Sequence, residues 1–272
     1  MTGALLAACV PSDGRPKAKQ DAGRVAALRP TAVRSAERPR PRLEAGVART
    51  SADPGRPAAA AATLVPPTRP PSDTAPAAQP FQDDFERQEI GPDWRPTSAV
   101  WRLDQGRLCA RSARNHPIWL KHKLGRNARI EFDAVSASTD GDIKVELWGD
   151  GRSYATGVSY VNATSYILIF GGWKNQLHVL ARLDEHGRDR AEVKVDHAGA
   201  SLKALPVEAE RAYHFKVERA DGLTIRWMVD DIEILSLTDQ KPLAGPGHEH
   251  LGFNDWEVPV CFDNLMITPL AD

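Results

Sequence analysis

Arg129-Ile130-Glu131-Phe132-Asp133 and, a short way on, Asp142-Ile143-Lys144-Val145-Glu146-Leu147-Trp148 alternate apolar with charged or amphipathic side chains. Successive side chains of an extended backbone point to opposite faces, so a period of two marks half-buried strands. Ile130 and Phe132 are expected to face a core, with Arg129, Glu131 and Asp133 opposite. Ile143, Val145 and Leu147 are expected inside as well, leaving Asp142, Lys144, Glu146 and Trp148 on the other face. Gly149-Asp150-Gly151 then closes the second run with turn residues. Working outward, the same grammar of short runs separated by Gly, Asp and Asn predicts these two strands at 129–135 and 142–148 and further strands at 100–103, 107–111, 118–124, 166–170, 176–183, 192–195, 213–219, 223–229, 232–237, 251–254 and 260–267. No long stretch keeps a 3.6-residue period. A dozen short strands without crossover helices predict an all-β fold of two antiparallel sheets packed face to face.

This pattern begins abruptly. All eighteen Phe, Trp and Tyr residues lie from Phe81 onward, and twelve of the 21 prolines fall between residues 10 and 79. A segment rich in Ala, Pro and Arg and lacking aromatics buries too little apolar surface to offset the entropy of ordering it. Residues 10–80 are therefore expected to be a disordered tether and residues 81–270 one folded domain. Of the 35 basic and 36 acidic residues, 12 and 6 lie in the tether, which leaves 23 and 30 in the remainder. That net negative charge argues against nucleic acid as a partner, because phosphate binding rewards clustered Lys and Arg. No apolar run approaches the ~18 residues of a membrane-spanning helix.

Leu5-Leu6-Ala7-Ala8-Cys9 resembles a bacterial lipobox, in which a small-residue stretch ends at a cysteine that is lipidated after signal-peptide cleavage. The resemblance implies lipidation at Cys9, residues 1–9 as the end of a signal segment, and a membrane-attached, exported protein of the bacterial cell envelope. Only eight residues precede Cys9, short of a full signal peptide, so a basic and apolar extension is expected upstream. The tether that follows would average about 45 Å end to end as a flexible coil and reach up to about 220 Å when extended.

Three further segments carry a family resemblance. Phe81-Gln82-Asp83-Asp84-Phe85, Tyr213 to Arg219 followed by Ile225-Arg226-Trp227-Met228-Val229-Asp230, and Phe262-Asp263-Asn264-Leu265-Met266-Ile267 resemble the concanavalin A-like lectin/glucanase jelly roll. The resemblance implies that the first and last strands pair and that one sheet forms a groove, often for carbohydrate. It also implies a possible structural calcium near Asp83 and Asp263; no cofactor is otherwise required. The superfamily contains lectins, glycosidases, polysaccharide lyases and inactive adhesion modules, so the fold does not decide the activity. The Glu-x-Asp-x-x-Glu signature of its bacterial endoglucanases is absent.

Strand 176–183 continues the alternation, with Leu177, Val179, Ala181 and Leu183 expected inside and Gln176, His178 and Arg182 outside. If the three polar faces are neighbours, they form one surface suited to sugars. Aromatic rings pack on the C–H face of a pyranose, while carboxylate and guanidinium groups bond paired hydroxyls. Candidate ligand contacts are Lys144, Trp148, Trp173, Gln176 and Arg182, whereas Trp119, Trp256 and Trp227 are expected in the core. A catalytic version of the face would use Glu131, Asp142, Glu146 or His178. Asp142 and Glu146 are about 13 Å apart along a strand, too far for a glycosidase pair, so a partner such as Glu131 would have to come from a neighbouring strand. Gln176-x-His178 resembles the Gln-x-His of jelly-roll alginate lyases, without their arginine-rich companion motif. Cys109 and Cys261 lie in candidate strands, either as buried thiols or as a disulfide permitted by export. The leading expectation is a lipid-anchored, non-catalytic module for a polysaccharide or glycoconjugate. A glycoside hydrolase or polysaccharide lyase on the same face, and a structural or protein-binding sandwich, are the alternatives.

Overall fold

A computed structural model describes residues 78–271. The lipobox and all but the last three residues of the expected tether lie outside the described residues. Among the described residues, fifteen strands, numbered along the chain, form two antiparallel sheets. The eight-stranded sheet contains Phe81–Asp83 (β1), Arg102–Asp104 (β3), Arg107–Arg111 (β4), Ala128–Ser136 (β6), Ala212–Arg219 (β11), Thr224–Val229 (β12), Ile232–Thr238 (β13) and Pro259–Pro269 (β15). Its order is β13-β12-β11-β6-β15-β4-β3, with β1 also paired to β15. The seven-stranded sheet contains Trp94–Pro96 (β2), Ile118–Leu120 (β5), Ile143–Gly149 (β7), Tyr166–Gly171 (β8), Leu177–Arg182 (β9), Ala191–Lys194 (β10) and His250–Asn254 (β14), in the order β10-β9-β8-β7-β14-β5-β2. No helix among the described residues is long and apolar enough to cross a membrane.

The ends of this region meet as expected, since Phe81 pairs with Ile267. The first half of β15 pairs with β4, which places Cys261 opposite Cys109, and the two form a disulfide between positions 152 residues apart. Between the sheets the alternating apolar residues interlock. Phe132 stacks on Phe215 at 4.9 Å, and Phe253 stacks on Phe262 at 4.1 Å, joining strands of both sheets. Trp227 is fully buried in the same core. Strand β2 was not expected: it has three residues and ends in Pro96 at a sheet edge, where proline costs no interior hydrogen bond.

The expected single polar surface does not form. β6 belongs to the eight-stranded sheet and β7 to the seven-stranded one, so the chain changes sheets between the two runs that specify the fold. Glu131 lies opposite Lys216 and Met266 on the outer face of the first sheet, and Glu146 lies on the outer face of the second. Alternation identified each strand's two faces but not which sheet it joins. Glu131 is thereby removed as a partner for Glu146.

Trp148 is a second correction. Its φ is 54°, and the pairing of β7 with β14 slips between His250 and Gly252. This irregularity breaks the period of two, so Leu147 and Trp148 both enter the inter-sheet core. The indole N–H of Trp148 donates to the Gly125 carbonyl at 2.9 Å, and the Arg219 guanidinium lies 3.8 Å from its ring centroid. Trp119 is buried as expected, on the opposite face of the sheet. Gly149 and Gly252 make room for it: a Cβ at either would come within 2.4 and 2.9 Å of the ring.

Strand β9 is inverted. Val179 and Ala181 face outward into a separate apolar cluster with Ala155, Tyr160, Ala163, Ile167 and Ile169, supplied largely by the segment between β7 and β8. His178 and Leu180 face the inter-sheet side, where the imidazole stacks on Phe170 at 4.4 Å. The segment 150–165 thus roofs part of the outer face and makes both faces of β8 and β9 apolar. Alternation alone then gives no sign of which face is inside.

Candidate functional site

Beside this roof, the outer face of the seven-stranded sheet opens into a cleft of about 540 Å³. Its floor includes Asp142, Lys144 and Ile169; Trp173, Glu185 and Trp256 also line it. The alternation correctly placed Asp142, Lys144 and Glu146 opposite Ile143, Val145 and Leu147, but these charges are buried rather than solvated. Lys144 is 2% exposed and Glu146 fully covered.

The Lys144 ammonium donates to Asn115 Oδ1 at 2.6 Å and to Glu185 Oε2 at 3.1 Å. Burial works against its charge, but Asp142 and Glu185 outweigh that and hold its pKa above the ordinary lysine value. Glu185 also accepts the Tyr160 backbone N–H at 2.9 Å, so one carboxylate ties the roof to the floor. Behind them Glu146 accepts from Tyr160 Oη at 3.0 Å, Ser165 Oγ at 2.6 Å and Asn254 Nδ2 at 2.8 Å. Burial pushes its pKa up to about 7 despite those three donors, and burial likewise raises Asp255 to about 7. Glu146 is sealed from substrate by the residues that bind it.

Trp173 reaches the cleft through an unusual turn. Gly171, Trp173, Lys174 and Asn175 all have positive φ, between 52° and 74°, a left-handed path between β8 and β9 that disfavours side chains. Asn175 locks it: its amide donates to the carbonyls of Thr139 at 3.0 Å and Val207 at 2.8 Å, and accepts the Val207 N–H at 3.0 Å. The half-buried Trp173 ring meets the Arg190 guanidinium at 5.0 Å and the edge of His186 at 5.6 Å.

Burial and the indole N–H groups together divide the tryptophans, since the Trp227 N–H, deep in the core, also has no acceptor among the described residues. Trp94, Trp101, Trp119 and Trp148 donate to protein acceptors between 2.8 and 2.9 Å. Neither Trp173 nor Trp256 has such an acceptor among the described residues, and both are half-buried in the cleft wall. Asp142 is only 8% exposed; its Oδ2 accepts the Trp256 backbone N–H at 2.7 Å, and no other donor among the described residues reaches the carboxylate. Burial raises its pKa by more than Lys144 and the Trp256 N–H lower it. The exposed Gln176 amide and Lys174 ammonium are likewise uncommitted.

Of the expected ligand contacts, Lys144, Trp173 and Gln176 are brought together, with Asp142 beside them. Trp148 is in the core, and Arg182 pairs with Asp239 at 2.7 Å away from the cleft lining. His178 accepts the Gly171 N–H at Nδ1 and donates from Nε2 to the Leu205 carbonyl, each at 3.0 Å; burial drops its pKa to about 4. It is a neutral core histidine, out of reach of a substrate. Trp256 was expected in the core and instead lines the cleft. Its neighbours Asn254-Asp255-Trp256-Glu257, a polar run around the ring after an apolar strand, carried the overlooked signal of a loop.

The residues named for calcium, Asp83 and Asp263, lie on the paired strands β1 and β15. Asp83 gives one oxygen to the Phe85 N–H and the other to the Trp94 indole at 2.8 Å, and both to Arg87. Asp263 lies opposite Asp133 on the eight-stranded sheet. No group of three or more His, Cys, Asp or Glu residues placed to hold a metal occurs among the described residues.

No protein-family model and no curated protein matches the chain. Among solved structures, it is similar to carbohydrate-binding module CBM66 from Bacillus subtilis, with 16% identity and a TM-score of 0.45 over 65% of this chain and 96% of that one. The carbohydrate recognition domain of Emp47p gives 13% identity and 0.45 over 71% and 95%. An alginate lyase gives 10% identity and 0.45 over 72% and 100%. The chemistry of the cleft has to be taken from its own side chains.

Proposed function

We propose that this cleft binds carbohydrate without catalysis, and that the chain is an exported bacterial envelope lipoprotein attached to the membrane through Cys9. The observation that carries the binding reading is the pair Trp173 and Trp256. Both rings line one cleft with indole N–H groups that no described residue uses, beside an Asp142 oxygen and a Gln176 amide that are also free. Aromatic surface with uncommitted donors and acceptors is what a sugar ring needs, since its C–H face stacks and its hydroxyls bond.

Binding without turnover is favoured because the catalytic candidates do not converge. Glu131 is on the other sheet, Glu146 and His178 are enclosed, and Asp142 alone reaches the cleft. The envelope address is supported by the Cys109–Cys261 disulfide, a bond that persists mainly in oxidising compartments, together with the lipobox-like Leu5 to Cys9.

The test is a glycan array probed with the full chain and with Trp173→Ala and Trp256→Ala. Binding that both substitutions weaken supports the reading; binding indifferent to both, or none, defeats it. Release of reducing ends or unsaturated uronate from a polysaccharide panel would overturn the non-catalytic part. Palmitate labelling that survives Cys9→Ser would defeat the anchor.

A further inference from the structure

We propose that the glycan residue held over Asp142 carries a free amine, so that the cleft selects amino sugars over N-acetylated and acidic ones; this rests on the carbohydrate reading above. The charge of the lining is the first ground. Four carboxylates, Asp140, Asp142, Glu185 and Glu257, face the cleft against the ammonium groups of Lys144 and Lys174, with His186 beside them. Lys144 is already spent on Glu185. The nearby guanidiniums are spent as well: Arg190 pairs with Glu192 at 2.8 Å and Arg114 with Glu257 at 3.3 Å. Asp140 has no side-chain partner among the described residues. Glu146 and Asp255, buried behind the floor, add no positive charge.

The second ground is the open oxygen of Asp142. A carboxylate more than nine-tenths buried, with one oxygen bonded to Trp256 N–H and no donor on the other, has only the charge of Lys144 to offset it, and the Lys144 ammonium is itself bonded to Glu185 and Asn115. Burial outweighs Lys144 and the Trp256 N–H and favours its neutral form, and a cationic donor would restore the ionised one. An ammonium supplies both the proton and the charge, and charge-assisted bonds are about twice as strong as neutral ones. The faces of Trp173 and Trp256 favour a cation over an anion for the same electrostatic reason. An N-acetyl group offers only a neutral N–H, and a uronate or sulfate adds a further negative charge to a lining whose four carboxylates outnumber its two ammonium groups.

The decisive experiment is calorimetric titration of the full chain with a glucosamine tetramer, an N-acetylglucosamine tetramer and an oligogalacturonate, at a pH where the free amine is protonated. The expected order is amine over N-acetyl by roughly tenfold, the difference one charged hydrogen bond makes, with no oligogalacturonate binding. Asp142→Asn should bring that ratio to near one by weakening the glucosamine tetramer more than the N-acetyl tetramer. The exposed Glu257→Gln should lower the ratio by less, and gives a second reading if Asp142→Asn does not fold. Equal or tighter binding of the N-acetyl tetramer, preference for oligogalacturonate, or a ratio unchanged by both substitutions overturns the inference while leaving carbohydrate binding standing. Failure of these tetramers and of every arrayed glycan to bind overturns both.

Discussion

The two outer faces of the sandwich carry similar alternating sequences and differ in what covers them. On the eight-stranded sheet, Arg129 pairs with Glu218 at 2.9 Å and His214 with Asp133 at 2.8 Å across neighbouring strands, all in contact with solvent. On the seven-stranded sheet, Lys144 and Glu146 occupy the same kind of position but are buried, Glu146 beneath the segment 150–165 and Lys144 beside it on the cleft floor. An ion pair in water is worth little, whereas a buried charge must be matched or it destabilises the fold. The roof therefore turns an ordinary strand face into a constrained polar floor, and the cleft lies where the roof stops.

The sharpest way to break this comparison is to remove one cation from each face. Lys144→Met leaves Glu185 and Asp142 without their buried counter-charge and should cost about 3–5 kcal/mol in denaturant unfolding. Arg129→Ala, which breaks its exposed pair with Glu218, should cost less than about 1 kcal/mol. Equal losses would contradict the assigned burial.

Acid sensitivity sharpens the same contrast. Glu146 and Asp255 titrate at about 7 in the folded protein, well above ordinary carboxylates. Between about pH 4 and pH 7 the unfolded chain ionises these groups while the folded chain keeps their protons, so they lower stability as pH rises through that window and no further above it. Glu146→Gln should flatten the decline, leaving the parts due to Asp255 and to Asp142, whose pKa burial also raises. Asp231 runs the other way: the hydrogen bond and charge of Lys216 hold its pKa low, so its contribution is present at neutral pH and is lost as pH falls. Thermal melts across pH would expose a wrong assignment if Glu146→Gln left the slope unchanged.

A smaller effect is expected at the turn that carries Trp173. Asn175→Ala removes three hydrogen bonds and places alanine at a φ of 59°, a loss of about 1–3 kcal/mol together with weaker glycan binding. Full stability would show that the turn does not depend on Asn175.

These contrasts also explain what the sequence could disclose. Strand β4 has the bounds expected for it, and β6 and β7 shift by a residue at their ends, because alternation and turn residues are local signals. The sheet change between β6 and β7 depends on pairing between distant segments, and alternation is blind to it. Trp148 was misplaced by a single irregularity in pairing, and His178 by a roof that makes both faces of β9 apolar. Of the site, Lys144, Trp173 and Gln176 were legible as polar or aromatic residues beside turns. Trp256 was missed because aromatic content alone suggested the core.

The central claim is that ligand binding belongs to the roofed face alone. The most direct measurement is the affinity of the full chain for its strongest arrayed glycan, compared among the native protein, Trp173→Ala, Trp256→Ala and Arg129→Ala. The account predicts at least a roughly tenfold loss for each tryptophan change, in line with the loss of a buried aromatic contact, and no change for Arg129→Ala. Undiminished binding by both tryptophan variants, or a loss confined to Arg129→Ala, would contradict it.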